Sequence, residues 1–416
     1  MCEDMADVQP ETGCRRIAMR AISRLRLPLF LGCILFAADG ALAQPTPIDL
    51  GTLGGSVTYP LGINNRGDVV GYSYGDLFPV SAFLWTEKTG MFDLGALERG
   101  ATAAAVNDRG QVVGTSGANG PRPGLSGSHV FLWTKQDGMV DLHAPPPNGG
   151  LNSFAGAIND RGRVIGTYDS GNGFRAFSWT TKEGMIDLGT LGGWRVAPSA
   201  VSNKDQVVGR SSLIPAPVPF GEFGQSHAFS WTPTGGLVDL GTLGGPSSGA
   251  EAVNEKGDVV GWAEVEEGVS HAFLWTKQDG MVDLGTLGGT FSFAYGVNEA
   301  GAIVGYSTLP GDTDEHAFLW TRADGMVDLG TLGGTRSVAY AINERGQVVG
   351  RNLTLEPQSI HAFVWTASKG MVDLAPLPGY ASSEAFLVNN SGQVVGTSYN
   401  RADVYEARPT MWPATH

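Results

Sequence analysis

From residue 48 onward, apolar and polar positions recur in one fixed frame. A representative copy begins with Ala339-Tyr340-Ala341-Ile342 and the polar step Asn343-Glu344-Arg345-Gly346. Gln347-Val348-Val349 follows, then a loop, His361 to Trp365, a turn ending at Gly370, and Met371-Val372-Asp373-Leu374. The apolar runs are short, lack a helical period, and are bounded by Asn, Asp and Gly, which predicts strands. Each unit therefore holds four strand candidates. Asn at the first turn position and Gly at the last suit a tight hairpin with a bulge between strands one and two. Turns such as Lys277-Gln278-Asp279-Gly280 join strands three and four in the same way. In His-Ala-Phe-Leu-Trp, alternate side chains point to opposite faces, so His, Phe and Trp share one face and Ala and Leu the other. A sheet covered on one side only would alternate with polar residues. These strands predict sheets covered on both sides by neighbours.

Three landmarks count the units. The Asn step falls at Asn64, Asn107, Asn159, Asn254, Asn298, Asn343 and Asn389, with Ser202 in the fourth copy. The Trp step falls at Trp85, Trp133, Trp179, Trp231, Trp275, Trp320, Trp365 and Trp412. The acidic step runs from Asp49 through Asp93, Asp141, Asp187, Asp239, Asp283 and Asp328 to Asp373. The Asn-type steps give a period of about 46 residues, within the range of a propeller blade of four short strands. The ends are complementary: Ile48-Asp49-Leu50 is a fourth strand without its first three, and the chain stops just after a third strand at Trp412. A linear array would more naturally end in polar caps. The expectation is an all-β fold: a β-propeller of eight blades, each of four antiparallel strands, closed by the N-terminal strand. A ring of another size or an open β-solenoid is the alternative.

Residues 1–43 have a different character. Arg15, Arg16, Arg20, Arg24 and Arg26 precede an apolar run from Leu27 to Ala38, and Ala41-Leu42-Ala43 precedes Gln44. That order is a secretory signal peptide cut between Ala43 and Gln44, with Met1 or Met19 as the start. The run is too short to span a bilayer. A retained anchor, or a lipoprotein site at Cys33, is the competing reading. Cys2, Cys14 and Cys33 all precede Ala43, so the processed chain would have neither disulfide nor thiol nucleophile. The expected domain is a single propeller over residues 44–416, monomeric, and secreted or periplasmic. The net charge is −14 with no basic run, which argues against nucleic acid and anionic membrane surfaces as partners.

His-Ala-Phe-x-Trp-Thr and Asp-Leu-Gly-Thr-Leu-Gly-Gly resemble the repeats of the extracellular HAF repeat family. The triplet begins at His227, His271, His316 and His361, and His129 begins a His-Val-Phe variant. Ser81 and Arg175 replace the His in two copies, and the last copy has neither His nor Phe. The resemblance covers nearly all of residues 47–412. It implies export and a repetitive fold, and brings no activity and no catalytic residues.

Most of the chemically suggestive residues are explained by the repeat. One His per blade does not converge on an ion unless the ring lines the axis; pairing between His and the recurring Asp is the expected role. Gly-Thr-Leu-Gly-Gly lacks the helix and Lys of a phosphate loop and is expected to connect blades. The periodic Trp residues sit on apolar strands, as packing would require. Subtracting the consensus leaves Trp194, Arg195, Trp262 and Glu264, together with Phe220 and Phe223 in a long Pro-rich second-to-third loop. Variable loops on a regular scaffold are where binding resides, so these six are the candidate ligand-binding residues. Phe220 and Phe223 have an alternative role in pinning their loop. Asp312, Asp314 and Glu315 form either a calcium-attracting cluster or a solvated loop; otherwise no cofactor is indicated. No set of acids, nucleophile or metal ligands breaks the repeat together. The expected function is a binding or scaffold module for a glycan or an extracellular protein, the alternative being an extracellular hydrolase or lyase.

Overall fold

The strands fall where the repeat places them. A computed structural model describes residues 45–75, 80–119, 126–142, 151–214, 224–355, 359–400 and 403–414, and every regular element among them is a strand. The expected cleavage site at Ala43 and Gln44, and the candidates Phe220 and Phe223, lie outside the described residues. The strands form eight antiparallel meanders. Seven span residues 57–93, 99–141, 153–187, 196–239, 248–283, 292–328 and 336–374. The eighth comprises three strands within 382–412 and is completed by Ile48–Asp49. The first strands of successive blades approach one another, while the fourth strands lie chiefly against their own third, so the first strand is innermost. The protein is a β-propeller.

The hairpin chemistry matches the sequence. In blade one the Gly67 amide donates to the Asn64 carbonyl at 3.1 Å, and the Asn64 amide donates to the Asp68 carbonyl at 3.1 Å. Gly67 has φ 84°, the left-handed position where a Cβ is penalised. A second irregularity lies inside the first strand. In every blade the ladder shifts register around the residue three places before the Asn-type landmark, a β-bulge. A bulge re-aims a side chain, and here it does so on the wall nearest the axis.

The core is divided into layers between blades. In the first layer Val112, Phe131, Trp133 and Met139 of blade two meet Val70, Ala82 and Leu94 of blade one. Consecutive residues of Val-Val, Ala-Phe and Leu-Trp thus serve opposite layers, which explains strands apolar on both faces. The last layer joins Leu50, Val395 and Met411 of blade eight to Val69 and Phe83 of blade one. Ile48 pairs with Met411 and Asp49 with Thr410, so the first and last strands of the propeller share one sheet.

In five blades the recurring His and Asp form a clasp between strands three and four. His227 Nδ1 lies 2.8 Å from Asp239, His271 Nδ1 2.9 Å from Asp283, and His316 Nδ1 2.8 Å from Asp328. In blades three and eight Arg takes the His position, Arg175 pairing with Asp187 at 3.0 Å and Arg408 with Asp49 at 3.4 Å, while blade one has Ser81 there. The same Asp caps the following turn, as when the Gly285 amide donates to Asp283 Oδ1 at 2.7 Å.

Candidate functional site at the axial channel

At one end of the axis, two hydrogen-bond rings tie the blades together. The Asn landmark donates its side-chain amide to the backbone carbonyl of the equivalent residue in the next blade. This occurs at Asn64, Asn107, Asn159, Asn254, Asn298, Asn343 and Asn389, over 2.8–3.2 Å. Ser202 has no amide, so the link from blade four to blade five is missing from this ring. The second ring is unbroken. The backbone amides of Asn65, Asp108, Asp160, Asn203, Glu255, Glu299, Glu344 and Asn390 each donate to the side chain of the equivalent residue in the next blade, and Asn390 returns to Asn65. Most of these residues, with Ile63, Val106, Ile158 and Ile342, line a cavity of about 320 Å³. The acidic residues at this mouth are acceptors for backbone amides, so ring closure accounts for their placement.

The opposite stretch of the wall is asymmetric. The bulged position reads Leu61, Ala104, Gly156 and Ser199 on blades one to four, then Glu251, Tyr295, Tyr340 and Phe386 on blades five to eight. Its neighbour on the second strand, just after Val-Val-Gly, reads Tyr72, Thr115, Thr167, Arg210, Trp262, Tyr306, Arg351 and Thr397. The larger rings are continuous from blade to blade. Trp262 lies 6.2 Å from Phe293, Phe293 stacks on Tyr306 at 5.2 Å, and Tyr295 stacks on Tyr306 at 6.0 Å. Tyr295 meets Tyr340 at 5.9 Å, and Tyr340 meets Phe386 at 5.8 Å. All are half-buried, with part of each ring open. At the bulged position the wall is large on blades five to eight and small on blades two to four.

Charged groups stand at both ends of the arc. On blade five, Glu251 accepts from the Trp262 indole and faces Arg210 of blade four; burial pushes its carboxyl up, opposed by those two partners. Burial pushes the Arg210 guanidinium down, opposed by Glu251, and Arg195 adds to the lowering. On blade eight, Glu384 lies 3.6 Å from Arg351 of blade seven and accepts from the Tyr399 hydroxyl at 2.7 Å. Arg351 also sits over the Tyr340 ring at 5.9 Å. The Tyr340 hydroxyl is pushed up to about 12, chiefly by burial.

The candidates from sequence divide. The Arg195 carbonyl accepts from the Ser212 amide, the Arg195 amide donates to Ser212 Oγ, and Ala197 pairs with Arg210, so Arg195 and Arg210 occupy the same face of blade four. Trp262 pairs across from Gly249, where an added Cβ would meet the indole Nε1 at 2.9 Å. Arg195 and Trp262 are therefore linked through Arg210 and Glu251, neither of which the consensus subtraction selected. Trp194 instead packs on Gly173, where a Cβ would lie 2.9 Å from its ring. Glu264 accepts from the Gly268 amide at 3.3 Å, within its own hairpin. In the acidic loop, Asp312 accepts from the Thr290 amide at 2.7 Å and has φ 54°. Among the described residues no group of three or more His, Cys, Asp or Glu converges as a metal site requires. No helix among them is long and apolar enough to cross a membrane.

The arc was visible in principle as a variable position inside an otherwise strict motif. The residue three before the Asn changes in size and charge while its Ala and Val neighbours hardly change.

No family model and no curated protein matches the chain. Among solved structures it is similar to Porphyromonas gingivalis dipeptidyl peptidase 4, at 9% identity and a TM-score of 0.55 over 85% of this chain. The chain spans 59% of that peptidase's length. The β-propeller domain of the Trilobed protease from Pyrococcus furiosus matches 86% of this chain and 94% of its own, at 9% identity and a TM-score of 0.45. At 9% identity the likeness to the peptidase shows the fold alone, and the eight meanders with their closing strand define the class, a β-propeller built from a sequence repeat.

Proposed function

We propose that the protein is an exported binding module that takes a glycan or an extracellular protein at the loop-face end of its axial channel. The observation that carries this is the arc from Trp262 to Phe386. Eight copies of one motif need only one inner-wall residue type, yet four successive blades place Glu, Tyr, Tyr and Phe there. Packing does not demand them, because Ala, Gly and Ser serve the same position on blades two to four. Half-exposed aromatic rings flanked by Arg are the residues that dominate recognition sites. Export rests on the Arg-rich, apolar and Ala-Leu-Ala segments before Gln44, and the resemblance to extracellular HAF repeats agrees with it. Screening immobilised glycans and extracellular protein fractions with the parent and with Tyr295→Ala/Tyr340→Ala tests the site. A ligand held by the parent and lost by the variant is expected; equal retention by both refutes the location. Incubating the ligand with the parent and finding product would favour the hydrolase or lyase alternative, for which the raised carboxyl of Glu251 is the supporting observation.

A further inference from the structure

We infer that the ligand of this arc is a neutral carbohydrate chain, lying against the rings of blades six and seven and held at its two ends by matched clamps. The inference rests on the site reading above and adds the ligand's chemistry.

The two clamps are built alike. Each has a carboxylate on an innermost strand: Glu251 on blade five and Glu384 on blade eight. Each carboxylate faces an Arg from the preceding blade, Arg210 or Arg351, at the same position after Val-Val-Gly. Each also accepts from an aromatic donor on the second strand of its own blade, Trp262 or Tyr399. Two blades of stacked rings lie between them.

Charge balance selects the ligand. An anionic ligand would be met by Arg without a carboxylate beside it, and a cationic one by the reverse. Here Arg195, Arg210 and Arg351 stand against the carboxylates Glu251, Glu384 and Glu315, the last acting on Tyr295 and Tyr306, so the arc carries no excess of either sign. An Arg–carboxylate pair such as Arg351–Glu384 still offers guanidinium N–H donors beside carboxylate lone pairs. A sugar hydroxyl pair needs a donor and an acceptor side by side. The face of a sugar ring is a sheet of C–H groups, which suits the half-buried rings of Tyr295, Tyr340 and Phe293. Buried polar groups shaped for hydroxyls also disfavour ligands that lack them.

The experiment measures calorimetric affinity for neutral hexasaccharides of glucose, N-acetylglucosamine, mannose and xylose. An oligogalacturonate serves as the anionic comparator and casein-derived peptides as the peptide comparator. The protein variants are Tyr340→Ala, Glu251→Gln/Glu384→Gln, and Trp262→Phe, which keeps a ring but removes the indole N–H. Thermal unfolding of each variant checks the fold. The expected result is that the parent binds at least one neutral hexasaccharide. Tyr340→Ala and the double Gln variant should each weaken it at least tenfold, and Trp262→Phe by a smaller factor. Tightest binding of oligogalacturonate, binding of peptide alone, or no neutral saccharide bound would overturn the ligand class. Where a peptide is bound and Tyr340→Ala loses it, the site itself stands. A saccharide bound equally by parent and all variants would instead overturn the site.

Discussion

The side-chain amide of Asn389 donates to the backbone carbonyl of Asn64 at 3.0 Å, across 325 residues of sequence. The same bond joins Asn343 to Asn389 at 2.9 Å between blades adjacent in sequence. The interface that closes the ring is thus chemically the same as those made along the chain. Closure adds a parallel bridge from Val57 to Ala407 and a ladder from Ile48–Asp49 to Thr410–Met411.

Leu50 should be worth far more than its place just after a two-residue strand suggests. It is 3% exposed and packs with Val69, Phe83, Val395 and Met411 in the closing layer. Leu50→Ala is expected to cost about 2–5 kcal/mol, the usual range for a buried Leu truncation. Deleting residues 47–55 should destabilise the whole ring, because it also exposes the strand edge at Asp403–Trp412. Denaturant titration followed by tryptophan fluorescence reads both, and midpoints equal to the parent's would refute closure by the N-terminal strand.

Ser202 marks the one gap in the Asn ring, and filling it should help. In the seven other blades the amide reaches the next blade's carbonyl, within 2.8–3.2 Å. Ser202→Asn offers Asn254 the same donor and is expected to stabilise by about 1 kcal/mol, the net value of one hydrogen bond. Asn343→Ala removes one such bond together with those its side chain makes to Gln347 and to the Arg345 and Gln347 amides, for an expected loss of about 1–3 kcal/mol. Opposite shifts in melting temperature are expected. A loss of stability in Ser202→Asn would mean that the gap is not merely a missing donor.

How much of this was legible in the sequence follows from what repeats. The blade count, strand order, turn chemistry and closing strand were readable because Asn, Trp and Asp recur at fixed places. Arg175 and Arg408 read as departures from the His motif, although in the structure they fill the same clasp with Asp187 and Asp49. Trp194 broke the period and so seemed free of the fold, yet it packs on Gly173. The wall from Trp262 to Phe386 was missed for the converse reason. Tyr295 and Tyr340 are 45 positions apart, and only the radial stacking of blades makes them neighbours at 5.9 Å. Single residues in a strand look like tolerated variation until the ring sums them.

Asp205 and Arg163 should behave as a compensated pair. Asp205 occupies the turn position that the other blades fill with Gly, and it has φ 66°. Its neighbour across the interface, Asn159, lacks the usual acceptor four residues on, because Arg163 stands there. Asp205 supplies one: Oδ1 accepts from Asn159 at 2.9 Å and lies 3.1 Å from Arg163 Nε. Arg163 is 5% exposed and also reaches Glu183 at 3.1 Å. Asp205→Gly restores the turn consensus but should cost about 1–3 kcal/mol, as expected when a charged hydrogen-bond partner is lost. Adding Arg163→Gln should recover most of it, since Gln111 and Gln347 play that part in blades two and seven. Chemical denaturation of the two single variants and the double closes the cycle; simple additivity would disprove the coupling.

His361 should make stability depend on pH in a defined direction. Its hydrogen bond to Asp373 raises the imidazole above its ordinary value of 6.5, against the opposing pull of burial. A group whose pKa is raised on folding binds its proton more tightly in the folded state. Its contribution is therefore fully present below about 6.5, and it is lost as pH rises through the higher folded value. The parent should exceed His361→Gln in stability most at pH 5 to 6, and the gap should narrow towards pH 8. The Gln variant keeps a donor for Asp373 but cannot titrate, so the slope of the difference isolates the proton. Melting temperatures of both proteins at half-unit steps from pH 5 to 8 supply the test. A gap that is constant with pH, or one that widens above pH 7, would show that the clasp gains nothing from protonation.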